Sequence, residues 1–72
     1  MTEHFKSEFG LFRVSDTEPN LLPPIGAKSL DGRYWLWPVE FISTPGNPET
    51  AAKWCRLSMD AFLAQKEPHS EK

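Results

Sequence analysis

Cys55, His4 and His69 are the side chains of this 72-residue chain best suited to proton transfer, nucleophilic attack or metal ligation near neutral pH. Their positions offer none of these reactions a foothold. His4 and His69 lie in the terminal stretches, where neither is held within hydrogen-bond reach of a partner in a rigid pocket. Cys55 falls on the apolar side of a helical pattern and away from its N-terminus, so it reads as a small buried hydrophobe. The chain has no GxSxG, HExxH, glycine-rich phosphate loop or CxxC. Asp31 and Glu40 stand alone, without the oxygen-rich run a calcium loop needs. The expectation is a protein without catalytic residues, metal or cofactor.

Composition narrows the alternatives. Eight Lys and Arg against ten Asp and Glu leave a net charge of −2, with the two signs interspersed. That balance disfavours a duplex-DNA binder, whose affinity rests on neutralising phosphates, and a basic membrane-surface helix. A single cysteine rules out an internal disulfide and suggests a reducing compartment. No apolar run reaches the length of a signal-peptide core or a membrane span, so the expected location is cytoplasmic.

The most informative stretch is Arg33-Tyr34-Trp35-Leu36-Trp37-Pro38-Val39-Glu40-Phe41-Ile42, which follows an Asp31-Gly32 turn signal. Strands are expected over residues 8–14, 25–30 and 33–42. The Asp31-Gly32 pair suits a type I′ hairpin, in which both central residues take positive φ. That register sets Ser29 opposite Tyr34, Lys28 opposite Trp35 and Ala27 opposite Leu36. One ribbon face then carries Lys28, Leu30, Arg33, Trp35 and Trp37, and the other Ile25, Ala27, Ser29, Tyr34 and Leu36. Pro38 interrupts the strand. A bulge there would bring Val39 and Phe41 to the Tyr34/Leu36 side, and an unbroken strand would keep them with the tryptophans.

Asn47-Pro48-Glu49 opens a helix: an N-cap acceptor, proline at the first helical position, and an acid facing the positive dipole end. The pattern predicts a helix to about Gln65 or Lys66, stopped by Pro68. Lys53, Arg56 and Asp60 form a narrow polar stripe, with Ala51, Trp54, Cys55, Leu57, Met59, Ala61, Phe62 and Leu63 over most of the remaining surface. So wide an apolar arc calls for cover by the N-terminal segment or by a second chain. Leu21 and Leu22, in a proline-rich loop, read as plugs at the end of the core.

The fold class expected is therefore α+β: a two- or three-stranded antiparallel sheet against one C-terminal helix. A flexible arm over 1–7, one domain over 8–66 and a disordered tail over 67–72 complete the organisation. The core should hold Phe12, Leu36, Val39, Phe41, Trp54, Cys55, Met59 and Phe62. Function points first to a non-enzymatic protein-interaction module, either a homodimer or a regulator or inhibitor of a larger protein, binding through Arg33, Tyr34, Trp35, Leu36 and Trp37. If the helix covers the tryptophan face, the interface is the Tyr34/Leu36 side, with Arg33 at the hairpin tip. Single-stranded nucleic acid stacked on Trp35, Trp37 or Tyr34 beside Arg33, Lys28 and Arg13 is the alternative. A monomer with Trp35, Trp37, Trp54 and Phe62 in one filled core is the third reading.

Overall fold

Strand alternation and one capped helix organise the molecule. The computed structural model describes residues 2–20 and 25–66. The elements run β1 (Thr2–Ser7), β2 (Gly10–Ser15), β3 (Ala27–Lys28), β4 (Trp35–Phe41) and α1 (Pro48–Lys66). The strands form one antiparallel sheet in the order β1-β2-β4-β3, and α1 lies across one face. The sheet therefore has four strands rather than two or three. The connection from β2 to β3 must pass β4 to reach the far edge. Leu21, Leu22 and the Pro23-Pro24 pair of that connection, and the tail from residue 67 onward, lie outside the described residues.

The additional strand is the segment expected to be an arm. Thr2–Ser7 pairs along its whole length with β2, from Thr2↔Ser15 to Ser7↔Gly10. One large apolar residue, Phe5, suffices to hold it. Phe5 meets Phe62 edge-on at 5.6 Å. Ser7 Oγ and the fully buried Ser58 Oγ share a hydrogen bond of 2.8 Å. Lys66 Nζ donates to Glu3 Oε2 at 3.1 Å. Residues 3, 5 and 7 thus face the helix at the period of two that a strand dictates. This strand takes up part of the helix's wide apolar arc, as the expected cover by the N-terminal segment requires, while Leu57 stays 39% exposed.

Both hairpins place their positive φ on glycine alone. Gly10 ends the Glu8-Phe9 turn at φ 140°, and Gly32 sits at φ 75°. Asp31 keeps negative φ, which corrects the type I′ expectation. Gly32 N–H instead donates to Ser29 O at 3.0 Å across Leu30-Asp31, a turn inside a longer loop. The register is nevertheless the expected one, Ala27↔Leu36 and Lys28↔Trp35.

A bulge settles the choice at Pro38. Phe12 pairs with Pro38 and Leu11 with Glu40, leaving Val39 as the surplus residue. Phe41 is thereby turned to the helix side, where it meets Phe12 and Trp54. Val39 is 52% exposed and leaves the expected core. Proline fits here because β3 pairs with β4 only as far as Leu36, so no ladder bond is lost on that side.

The core is Phe12, Val14, Leu36, Cys55, Met59 and Phe62, with Ala51 also buried. Val14 belongs to it in addition to the residues expected, and Trp54 is half-buried, stacked on Phe9 at 5.7 Å. On α1 the buried set Ala51, Cys55, Ser58, Met59 and Phe62 follows ordinary helical spacing. Ala52, Ala61 and Ala64 are exposed, because alanine favours the helix without needing burial.

Two substitutions test this frame. A Cβ at Gly10 would lie 2.2 Å from Glu40 O and 2.8 Å from Phe41 Cα, both backbone atoms, on top of the unfavourable φ. Gly10→Ala should therefore lower stability by about 3 kcal/mol or more. Asn47 Oδ1 accepts from Thr50 N–H at 2.8 Å, so Asn47→Ala should cost about 1 kcal/mol. Denaturant titration should show a lower midpoint at unchanged slope in the second case. An unaltered midpoint for Gly10→Ala would mean that β2 and β4 do not approach as described.

Candidate functional site

Because α1 covers one side of the sheet, the other side is the surface left for recognition. The inward set is Phe5, Phe12, Val14, Tyr34, Leu36 and Phe41. Alternation then turns His4 and Lys6 of β1, Leu11 and Arg13 of β2, Lys28 of β3, and Trp35, Trp37 and Glu40 of β4 outward. Register aligns them in rows: Lys6, Leu11 and Glu40 in one, His4, Arg13 and Trp37 in the next, then Ser15, Trp35 and Lys28.

The helix packs on the face opposite to the one on which the expected interface depended. Leu36 is 1% exposed, at the centre of the core, and Tyr34 packs edge-on against Phe62 at 5.3 Å. The helix lies on this side because Phe12 and Val14 of the neighbouring strand face the same way. Neither the Leu36 side chain nor the inner face of Tyr34 is open to a partner. Trp35 and Trp37 remain, half-buried on the outer face. Of the five residues singled out from sequence, these two share a solvent face, while Arg33 stands apart at the hairpin tip.

The outer tryptophans are bordered by cations. Lys28 Nζ lies over the Trp35 ring, 5.7 Å from its centroid. Trp37 stands beside Arg13 in an open hollow of about 410 Å³ whose walls are Ser15, Thr17, Glu18, Pro19 and Asn20. Ser15 fixes the start of that wall: its Oγ donates to Thr17 O at 2.8 Å and accepts from Thr17 N–H at 3.1 Å. At the other end of the face, Lys6, Leu11, Glu40 and Ile42 border a second hollow of about 410 Å³. Among the described residues, Lys6, Arg13 and Lys28 take part in no salt bridge. Arg13 and Lys28 were placed beside the tryptophans from sequence, but Leu11 and Lys6 were not, because only the β1-β2-β4 register brings them to this surface.

The hairpin tip is tightly built. Ser29, 5% exposed, donates through Oγ to Asp31 Oδ1 at 2.7 Å and accepts from the backbone N–H groups of Arg33 and Tyr34 at 3.1 and 3.0 Å. Arg33 Nε reaches Asp31 Oδ2 at 3.1 Å. The Ser29 hydroxyl and the Arg33 backbone N–H hold the Asp31 carboxyl below its ordinary range. Leu30 projects from this turn, 95% exposed.

The residues best suited to chemistry are dispersed. Cys55 is fully buried in the core, and burial pushes its thiol up to about 11. His4 lies on the outer face of β1, opposite Arg13. His69 is outside the described residues. Among the described residues no three of His, Cys, Asp and Glu gather into a group that could hold a metal ion, and no helix is long and apolar enough to cross a membrane. Comparison with protein-family models, curated proteins and solved structures finds no match to this chain.

The two faces of β4 should respond oppositely to charge. Leu36→Glu should unfold the domain, since an unpaired buried carboxylate costs several kcal/mol, whereas Trp37→Glu should retain the native circular dichroism. Folded Leu36→Glu protein would reverse the assignment of faces. Cys55 adds a test in alkali. Its thiol ionises near 9 when exposed and near 11 when folded, so its contribution to stability is complete below pH 9 and lost as pH rises toward 11. Thermal midpoints of the parent should fall over that window more steeply than those of Cys55→Ala.

Proposed function

We propose that this chain is a small non-enzymatic protein-interaction module that docks through the outer face of its sheet, as a regulator or inhibitor of a larger protein or as a homodimer. The observation that carries the reading is the position of Trp35 and Trp37, side by side on the face opposite the helix. A 72-residue chain has little apolar material, and a buried tryptophan adds a large area to a core. None of the three tryptophans is in the buried core, and Trp35 and Trp37, half-buried on the face opposite the helix, forgo part of that gain. Tryptophan and arginine are also the residues most enriched where partners bind tightly, since they join large contact area to a polar handle.

Base stacking by a single-stranded nucleic acid would draw on the same rings. It needs bare ring faces, and Lys28 lies over Trp35 while the loop at residues 15–20 borders Trp37. A protein surface, with its mixture of aliphatic and charged side chains, fits this relief better. It also meets the part-buried Leu11 and the exposed Ile42 at the far end of the sheet.

The test is site-specific photo-crosslinking in cells that make the protein. A benzophenone amino acid in place of Trp37 should yield discrete protein adducts, suppressed by adding Trp35→Ala, while the same probe in place of Arg56 on the solvent side of α1 should yield none. An adduct of twice the chain mass would identify a second copy as the partner. Adducts from position 56 alone, from neither position, or digestible by nuclease would overturn the reading.

A further inference from the structure

Resting on the docking face proposed above, we infer that its occupant is an acidic segment of a partner protein, whose carboxylates lie on Arg13, Lys28 and Lys6 and whose apolar side chains lie on Trp37 and Leu11. The chain as a whole is acidic, at −2, yet its charges are not spread evenly over its surface. The outer strand face collects Lys6, Arg13 and Lys28, with His4 beside them, against Glu40 and, on the loop at its border, Glu18. Two acidic side chains elsewhere have cationic partners: Glu3 pairs with Lys66, and Asp31 with Arg33. The three outer cations take part in no salt bridge among the described residues.

Spacing gives this positive field a direction. Arg13 and Trp37 are cross-strand partners, as are Lys28 and Trp35, so each tryptophan has a cation immediately beside it on the neighbouring strand. A segment that alternates acidic and apolar residues matches such a face side chain for side chain. Arg13 in the hollow beside Trp37 is the group best placed to take a carboxylate in two-point fashion, because a guanidinium fork fits its two oxygens. Ser15, Thr17 and Asn20 around that hollow add polar groups for its rim, and Glu18 borders it too without forming a salt bridge to Arg13.

Nuclear magnetic resonance on the isotope-labelled full chain can read this directly through the three indole N–H signals. The probe is a short peptide alternating Glu and Leu, compared with its Lys–Leu counterpart and with an oligothymidylate of matching charge. The Glu–Leu peptide should shift the Trp35 and Trp37 signals and leave Trp54, on the helix side, unmoved. Its affinity should drop about tenfold from low to moderate salt, and by a similar factor in Arg13→Glu or Lys28→Glu at low salt. Both variants alter exposed positions, and circular dichroism verifies their folding. Equal binding of the Lys–Leu peptide, tighter binding of the oligothymidylate, or no response of Trp35 and Trp37 to the Glu–Leu peptide would overturn the inference. If crosslinking through position 37 persists while the acidic peptide fails, only the charge preference falls. If both fail, the docking face falls with it.

Discussion

Pairing Phe12 with Pro38 and Leu11 with Glu40 leaves Val39 without a cross-strand partner, and that one-residue surplus decides which side chains of β4 meet the helix. Strand side chains alternate, so an extra residue exchanges the faces beyond it. Before the bulge Leu36 points to the helix and Trp37 away. After it Phe41 points to the helix and Glu40 away. Had β4 alternated without a bulge, Glu40 would point into the Phe12–Trp54 contact region and Phe41 into water. Gly10 makes the arrangement possible, because the β4 backbone at Glu40 and Phe41 occupies the space a Cβ would need. The expansion in one strand and the contraction in its neighbour are complementary.

From this register the two faces acquire different characters. Helix α1 brings Cys55, Met59 and Phe62 against Phe12, Val14 and Leu36, an apolar inner layer with the serine pair Ser7 and Ser58 as a satisfied polar contact. The outer face carries the cations and the remaining tryptophans. Gathering cations on a face of an acidic chain has an electrostatic cost in mutual repulsion, limited here because the groups are solvated and screened. The turn at Ser29–Arg33 anchors the end of that face. Ser29 Oγ takes the Tyr34 N–H that the Ser29 carbonyl, already engaged by Gly32, leaves to it.

The local elements were the legible part of this sequence. Asn47-Pro48-Glu49 marked the start of α1 because caps act over one turn, and Asp31-Gly32 placed Lys28 opposite Trp35 because a hairpin register depends on a few adjacent residues. Strand β1 escaped notice because TEHFKS carries a single large apolar residue and fills its other inward positions with Glu3 and Ser7. Those positions make sense only once Lys66 and Ser58, far along the chain, are opposite them. The choice between the faces of β4 was equally out of reach. Each offered large apolar residues, and the decision lies with β2, where Phe12 and Val14 turn inward and Arg13 outward. Of the candidate binding residues, Trp35 and Trp37 were visible from sequence with Lys28 and Arg13 as neighbouring cations, whereas Lys6 and Leu11 join them only through the sheet.

Exposing aromatic surface normally invites indiscriminate association, and the outer face carries features that oppose it. Lys28 lays its ammonium over Trp35, which gives that ring a favourable neighbour in the free protein and keeps a charge above it. Arg13 stands next to Trp37 in the same way along the neighbouring strand. Cations so placed beside the tryptophans attract an acidic surface and repel a basic one. The edge strand β1 follows the same logic, with Glu3, His4 and Lys6 along an otherwise open ladder. Charge thus does on this surface what shape does in the core: it admits few neighbours.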